Sequence, residues 1–380
     1  MAIQKITIEE FLALAKQHPV LDVRSPGEYN HAHISGAHSL PLFTDEERKV
    51  VGTTYKQQSR EAAIKVGLDY FGVKMKGMVE EVEKIMSNKQ QSINKEEKIN
   101  NKEPLPIANC ILLHCWRGGM RSAGVAWLLD LYGFKVYTLV GGYKAYRKWV
   151  LSQFEKEYNF NIIGGYTGSG KTLLLHELKM QDKKIIDLES LANHKGSAFG
   201  ALGEEPQPKQ EMFENLLANQ LAVGRWPLAG ENSASVINDQ RSTLIYIEDE
   251  SQRIGNLQIP MPLWNTMRRS PVYFLDIPFT ERLNYITNEY GKFEKEKLIE
   301  AVRRIQKRLG GLQTKMAIEQ LQEGHTKECF RILLTYYDKW YSKGLRNREN
   351  LSSLLNKIAC SGVDTKTNTE KLLSCNTVSP

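Results

Sequence analysis

Residues 164–172, which read GGYTGSGKT, constrain the fold of this 380-residue chain more than any other segment. They match the pattern G-x-x-x-x-G-K-[ST], and they lie between the apolar run FNII and the helix-forming run KTLLLHELK. That order of strand, glycine-rich loop and helix is the context that a phosphate-binding loop, or P-loop, requires. The predicted phosphate loop comprises Gly165, Thr167, Gly168, Ser169, Gly170, Lys171 and Thr172.

The chemistry of this loop follows from its residue types. Its backbone N–H groups would surround a diphosphate, Lys171 would balance the charge, and the Thr172 hydroxyl would coordinate Mg²⁺. An acidic metal partner has two sets of candidates, namely Glu248, Asp249 and Glu250 in LIYIEDE, or Asp187 and Glu189 in IIDLE. The sequence leaves the choice open, and each set also suits a solvated strand end.

A second anion-binding loop is predicted at residues 114–122, HCWRGGMRS, where Cys115 follows a strand and precedes a helix. Unpaired N–H groups and the helix dipole at such a position favour a thiolate, which is the reactive form of cysteine. Arg121 adds a permanent cation. We predict Cys115 and Arg121 as catalytic residues, with an anion cradle formed by Trp116, Arg117, Gly118, Gly119 and Met120. The alternative is that Cys115 is a small buried apolar residue.

Strand and helix signals alternate through both halves of the chain, and Thr7 with Glu10 forms a predicted capping box at the first helix. This rhythm predicts an α/β fold with an open parallel sheet, followed by a P-loop NTPase-like α/β domain that becomes wholly helical after Phe279. We expect a first domain at residues 1–145 with a long helical region at 59–85 and a polar insertion near 87–104. A connecting helix at 146–158, the P-loop domain at 159–350 and a flexible tail at 351–380 would follow.

Composition narrows the class of protein. The chain is 41% hydrophobic and 25% charged, and it contains no apolar run long enough for a membrane span and no signal-peptide pattern. We therefore expect a cytoplasmic protein without a membrane partner. Its five cysteines are scattered, so neither a disulfide framework nor a zinc site is predicted. A net charge of +7 is compatible with a polyanionic partner without requiring one.

Two further polar segments suit substrate handling, since loops of this type more often serve recognition than packing. One segment offers His194, Lys195 and Ser197 between glycines, and the other offers Arg253 beside Glu248 and Asp249. The run RRIQKRL, residues 303–309, forms a basic stripe at helical spacing. Such a stripe suits RNA phosphates or a merely solvated helix face, and nearby Tyr285 and Tyr290 suit base stacking or packing.

Residues 21–42, LDVRSPGEYNHAHISGAHSLPL, together with HCWRGGMRS, resemble the rhodanese family, with His31 or His33 near the family's usual histidine. The resemblance implies a rhodanese-like open parallel sheet and a cysteine that carries sulfur as a persulfide. The loop departs from that pattern, because five residues separate Cys115 from Arg121 where ordinary rhodaneses have four. In this respect it resembles the C-x5-R loop of the related cell-cycle phosphatases. A phosphate-sized or selenium-bearing group would fit the longer loop, and phosphatase chemistry stays open.

The chain resembles the bacterial tRNA 2-selenouridine synthase family over about residues 5–350. The resemblance rests on a rhodanese-like domain followed by a P-loop domain, and on two segments of the P-loop domain, residues 186–215 and IEDESQRIG. The resemblance implies that sulfur of wobble-position 2-thiouridine in tRNA is replaced by selenium from selenophosphate, with an S-geranyl intermediate made from geranyl diphosphate. Selenophosphate would come from a supplying enzyme. The P-loop would bind the diphosphate without a need for ATP hydrolysis, and Cys115 would carry a perselenide or act during the displacement.

Two other functions are compatible with the same residues. One is an ATP-dependent kinase or NTPase with a rhodanese-like phosphatase domain, for which ATP turnover without RNA would be the signature. The other is a non-catalytic RNA-binding module, in which replacement of Cys115 or Lys171 would change nothing measurable.

Overall fold

The computed structural model describes residues 3–99, 109–222 and 243–376. The chain divides into two compact units at Gln153 and Phe154. Each unit contains a five-stranded parallel sheet with helices connecting its strands, so the predicted α/β class is confirmed. None of the helices in the described ranges is long and apolar enough to cross a membrane.

The first unit is built on a sheet in the order β1-β5-β4-β2-β3, in which every neighbouring pair is parallel. Its strands are β1 (Gln4–Ile6), β2 (Val20–Asp22), β3 (His38–Ser39), β4 (Cys110–His114) and β5 (Lys135–Leu139). Its helices are α1 (Ile8–Ala15), α2 (Pro26–His31), α3 (Asp45–Gln57), α4 (Arg60–Gly72), α5 (Met75–Ile99), α6 (Met120–Tyr132) and α7 (Gly142–Phe154). Strand β4 is buried along its whole length, which explains its continuous apolar sequence.

The predicted capping box at the first helix is confirmed. The Thr7 N–H donates to Glu10 Oε2 at 2.8 Å, and the Glu10 N–H donates to Thr7 Oγ1 at 3.3 Å. The single helical region expected at 59–85 is two helices, α4 and α5. Helix α5 continues to Ile99, so residues 87–99 of the expected insertion are helical, and residues 100–104 lie outside the described part of the chain. The run is rich in Lys, Glu and Gln, which lengthen a helix without needing a partner surface.

The second unit has a sheet in the order β12-β11-β6-β8-β7, again with parallel neighbours. Its strands are β6 (Asn159–Gly164), β7 (Lys184–Ile186), β8 (Leu244–Glu248), a small antiparallel pair β9 (Arg253–Ile254) and β10 (Leu257–Gln258), β11 (Val272–Asp276) and β12 (Leu355–Ala359). Its helices begin with α8 (Lys171–Met180), α9 (Leu188–Ala192), α10 (Gln210–Ala222), α11 (Met261–Arg268) and α12 (Phe279–Tyr290). They continue with α13 (Lys295–Arg304), α14 (Gln306–Leu309), α15 (Gly311–Gln322), α16 (Thr326–Arg346), α17 (Leu351–Leu354) and α18 (Thr365–Asn376).

The prediction of a flexible tail is wrong for residues 355–376, which form a strand and a helix. The prediction that the chain is wholly helical after Phe279 is wrong for the same reason, because β12 is a strand. Strand β12 pairs with all five residues of β11, and Leu372 of α18 is fully buried in a core that also contains Leu174 and Leu178 of α8. The segment is mostly polar, but a few of its apolar residues are buried, and its strand forms the edge of the sheet. Edge pairing supplies backbone hydrogen bonds that composition cannot reveal.

Candidate active sites

The sulfur of Cys115 lies at the carboxyl end of β4, beneath the loop that leads into α6. The residue is 3% exposed and packs in the core of the first unit, but its Sγ also lies 3.2 Å from the hydroxyl of Ser122. Burial, the largest influence, raises the pKa of the thiol. The Ser122 hydroxyl and the backbone N–H groups of Ser122, Arg117 and Gly119 together outweigh burial, and the net pKa is lowered. The site therefore favours the thiolate.

The cradle is held by the start of α7. The Tyr143 N–H donates to the Cys115 carbonyl at 2.8 Å, and the Lys144 N–H donates to the Trp116 carbonyl at 3.0 Å. Gly142 approaches the loop so closely that an added Cβ would lie 2.3 Å from the Cys115 oxygen. The glycine therefore permits a contact between two backbones that no other residue allows.

The other predicted cradle residues surround the thiol in different ways. Gly118 has a φ of 68°, which lets the loop curl, and Gly119 precedes the first turn of α6. The side chains of Trp116, Arg117 and Met120 are exposed at the surface of the loop. The backbone thus faces the sulfur while these side chains face solvent.

Arg121 is held by a carboxylate that sequence analysis did not single out. Its Nη1 donates to Glu28 Oε2 at 2.9 Å, and Glu28 also pairs with Arg48 at 2.8 Å. Burial raises the pKa of Glu28 most strongly, but the two arginines reverse the effect and the net pKa is lowered. The only signal in the sequence was Glu28 itself, three residues after the helix-capping Ser25.

The phosphate loop lies between β6 and α8, as its motif predicts. Lys171 Nζ donates to the Gly165 carbonyl at 3.3 Å, which folds the side chain back over the loop. Gly168, with a φ of 83°, leaves no room for a Cβ, because one would lie 2.7 Å from Ile286. The buried hydroxyl of Ser169 has no hydrogen-bond partner among the described residues, which fits a loop whose ligand is an anion.

Thr172 brings together one acid from each set of candidate carboxylates. Its hydroxyl lies 3.1 Å from Glu189 Oε2 and 3.2 Å from Glu248 Oε1. Asp187 instead caps α9 and pairs with His176, and Asp249 pairs with Arg348. The acids near Thr172 are therefore one member of each candidate set and not either set as a whole. Successive side chains at a strand end point in opposite directions, so Glu248 and Asp249 cannot both face Thr172.

Several carboxylates crowd around Thr172 and Lys171. Glu248 is fully buried, and burial, followed by the charges of Asp187 and Glu189, raises its pKa well above the ordinary value. Burial and the charge of Glu189 likewise raise the pKa of Glu250 to about 8. In the described ranges no three His, Cys, Asp or Glu side chains form a complete metal-binding set. Thr172, Glu189 and Glu248 nevertheless fit Mg²⁺, which typically takes one or two carboxylates together with phosphate and water.

The loop with His194, Lys195 and Ser197 lies above these carboxylates. A Cβ on Gly196 would lie 2.8 Å from Glu250 and 3.0 Å from Glu189. Lys195 is already paired with Glu204 and Glu289, and His194 has a lowered pKa, first through burial and then through the charge of Arg304. Arg253 is exposed on β9, where its Nε donates to the Gly255 carbonyl, and none of its side-chain contacts in the described residues reaches Thr172.

Two residues that the sequence analysis missed support the phosphate loop. Arg282 is 3% exposed, donates to the Thr167 carbonyl at 3.1 Å and forms a bidentate pair with Asp338. The Tyr341 hydroxyl accepts from the Gly165 N–H at 3.1 Å and donates to Asp249 at 2.6 Å. Both come from helices far along the chain, and no local pattern distinguishes them from core residues.

A narrow apolar pocket begins at Thr167. Its other lining residues come from the loop above the carboxylates and from α12 and α16, and they are Ser197, Phe199, Ile286, Tyr290, Phe330, Leu333, Leu334 and Tyr337. The pocket is too tight for more than a small group as it stands.

These features define the class of protein as a rhodanese-like domain followed by a P-loop domain. Residues 7–148 match the model of the rhodanese-like domain, and residues 158–359 match the model described as the tRNA 2-selenouridine synthase AAA domain. The chain belongs to the tRNA 2-selenouridine synthase family.

Relatives with that name match most of the chain. A protein of Hydrogenovibrio crunogenus is 33% identical and covers 88% of this chain and 91% of its own length. A protein of Nitrosomonas europaea is 34% identical over 75% of this chain and 67% of its own length, and one of Sulfurovum is 32% identical over 85% and 87%. Each is called tRNA 2-selenouridine synthase.

Proposed function

We propose that this chain is a tRNA 2-selenouridine synthase that acts in the cytoplasm and replaces the sulfur of wobble-position 2-thiouridine in tRNA by selenium. The observation that carries the proposal is the similarity to relatives of that name over as much as 88% of the chain. A match of that length includes both the cysteine loop and the phosphate loop. The selenium donor is selenophosphate, which a separate enzyme supplies.

The first step is S-geranylation. The thiocarbonyl sulfur attacks the carbon of geranyl diphosphate that bears the oxygen, a C–S bond forms, and the C–O bond breaks with release of diphosphate. The phosphate loop supports this assignment, because its N–H groups and Lys171 suit a leaving diphosphate.

Thr172, Glu189 and Glu248 would hold Mg²⁺ in this step. The ion would supply charge neutralisation on the departing diphosphate. The residues themselves keep carboxylate oxygens close to the Thr172 hydroxyl, at 3.1 Å and 3.2 Å, so that an ion need not assemble them.

The second step is selenation. The S-geranyl base is electrophilic at the carbon that bears sulfur, so selenium adds there and geranyl thiol departs. Water takes the phosphoryl group of selenophosphate, and phosphate is released. A loop with N–H groups directed at Cys115, and with Arg121 at its end, suits a tetrahedral anion that carries a soft atom. A perselenide on Cys115 would require a two-electron oxidant that neither water nor selenophosphate supplies, so the Cys115 thiolate assists the displacement without carrying the selenium.

The two steps can be separated by feeding each variant both 2-thiouridine tRNA and tRNA that is already geranylated, followed by mass spectrometry of nucleosides. Lys171→Ala is expected to lose geranylation but to keep selenation of tRNA that is already geranylated. Cys115→Ala is expected to geranylate and then fail to selenate. Lys179→Ala on the same helix and Cys375→Ala, which changes an exposed thiol, are matched controls.

Loss of the same step in Lys171→Ala and Cys115→Ala would contradict this division of labour. If folded wild-type protein yields neither a geranylated nor a selenated nucleoside, the proposed function itself is overturned. Sustained ATP turnover in the absence of RNA would favour the kinase or NTPase alternative.

A further inference from the structure

The basic stripe of residues 303–309 is not one continuous helix. Helix α13 ends at Arg304, the chain turns at Ile305, and α14 begins at Gln306. Leu309 is buried, while Arg304, Lys307 and Arg308 are exposed. The turn therefore breaks the even i,i+4 spacing, and the three exposed cations lie at the corner between two helices.

An aromatic strip on α16 lies next to this corner. Trp340 is 48% exposed, its ring centroid is 6.2 Å from that of Tyr336, and Lys343 Nζ lies 5.3 Å from the Trp340 ring. The charge of Arg308 acts on Tyr336, where it opposes the rise in pKa that burial causes. We define the basic-aromatic surface as Arg304, Lys307, Arg308, Tyr336, Trp340 and Lys343.

The cations of this surface are not neutralised. Within the described ranges, none of Arg304, Lys307, Arg308 and Lys343 forms an ion pair with a carboxylate. Two other exposed cations of α15 and α16 do pair with an acid, Lys315 with Glu319 and Arg331 with Glu328. An exposed group of unpaired like charges attracts a partner of opposite charge.

The surface adjoins the loop that covers the phosphate site. Arg304 Nη2 donates to the Ala198 carbonyl at 3.4 Å, and the Ala198 N–H donates to the Tyr337 hydroxyl at 2.8 Å. Tyr337 packs against Tyr336 with centroids 5.3 Å apart and lines the pocket that begins at Thr167. A polymer bound on the surface could thus present one of its units to the phosphate site.

We propose that the basic-aromatic surface binds a single-stranded RNA loop, with cations on the phosphates and Trp340 stacked on an unpaired base. Unpaired bases stack on aromatic side chains, whereas bases inside an RNA duplex are not accessible to them. The inference rests on the proposed function, in which a single nucleoside of a tRNA is the substrate.

The test measures binding of the full chain to a short RNA hairpin with an open loop and to a blunt RNA duplex of equal length, at several salt concentrations. Trp340→Ala is expected to weaken hairpin binding about tenfold and to leave duplex binding unchanged, as the loss of one stacked base predicts. Lys307→Ala with Arg308→Ala is expected to weaken binding to both RNAs and to reduce the salt slope by roughly 1.4 to 1.8. Lys327→Ala, at the other end of α16, and Lys179→Ala are matched controls for exposed cations.

Unchanged hairpin affinity in both surface variants would overturn the proposal, and so would an equal loss in the controls. An equal loss of hairpin and duplex binding in Trp340→Ala would overturn the stacking of an unpaired base.

Nucleoside analysis distinguishes failure of this surface from failure of the proposed function. If wild type binds the hairpin through this surface but modifies no tRNA, the proposed function fails and the surface stands. If the surface variants modify tRNA with an unchanged KM, the surface fails and the function stands.

Discussion

Arg121 donates a hydrogen bond to Glu28 at 2.9 Å, which ties the arginine that closes the cysteine loop to helix α2. The carboxylate therefore fixes the position of a cation beside the cradle. Glu28 is also bonded to Arg48, so two positive charges stabilise its ionised form.

Glu28→Gln is expected to lower the free energy of unfolding at pH 7 by about 1.5–3 kcal/mol, the usual value of a hydrogen bond to a charged group. The pKa of Glu28 is lowered in the folded chain, so the stabilisation is complete above pH 4.5 and is lost as pH falls through the lowered pKa. The variant should therefore lose less stability on acidification than wild type. Urea unfolding at several pH values measures this, with exposed Glu46→Gln as control. Equal acid sensitivity of wild type and Glu28→Gln would contradict the role of this pair.

Ser122→Ala should raise the pKa of the Cys115 thiol, because it removes the side-chain hydrogen bond that favours the thiolate. The rate of iodoacetamide alkylation at Cys115, followed by peptide mass spectrometry against pH, reports that pKa. We expect alkylation at neutral pH to slow by up to about tenfold, which corresponds to one pKa unit. Ser152→Ala, whose hydroxyl bonds only to its own helix, is the control. An unchanged pH profile would show that the backbone N–H groups alone set the reactivity.

Arg282 is expected to control both the stability of the second unit and the shape of the phosphate loop. Arg282→Met leaves Asp338 without its bidentate partner and should cost about 3–5 kcal/mol, as for other buried pairs broken on one side. Arg282→Met with Asp338→Leu should recover stability but not the hydrogen bond to Thr167, so diphosphate binding should stay weak. Urea unfolding and calorimetry with diphosphate separate the two effects. Arg331→Ala, on an exposed pair, is the control, and full recovery of binding in the double variant would refute the positioning role.

Leu372 tests whether the C-terminal segment belongs to the folded domain. The side chain is fully buried against α8, so Leu372→Ala should lower the free energy of unfolding by about 2–5 kcal/mol. Glu370→Ala, two residues earlier and exposed, should change it by less than about 0.5 kcal/mol. Thermal or urea unfolding measures both. A neutral Leu372→Ala would mean that α18 does not contribute to the core.

The predictions from sequence that agree with the structure are those whose chemistry is local. The capping box at Thr7 and Glu10 requires two residues three positions apart, and the phosphate loop requires consecutive residues between one strand and one helix. The two-domain α/β character likewise follows from alternating apolar runs. The tail was misjudged because β12 is short and polar on its exposed positions, and its strand character depends on β11, which lies almost eighty residues earlier in the sequence.

By itself the sequence determined which groups occupy the cysteine loop and the phosphate loop, since strand, glycine turn and helix N-terminus dictate where unpaired N–H groups point. The tertiary structure decided which distant side chains complete them. Glu28 meets Arg121, and Glu189 with Glu248 meets Thr172, because parallel strands and their connecting helices bring separate segments to the same edge of a sheet. Side-chain direction at a strand end, which selects Glu248 over Asp249, is fixed by strand pairing and is not encoded in any single segment.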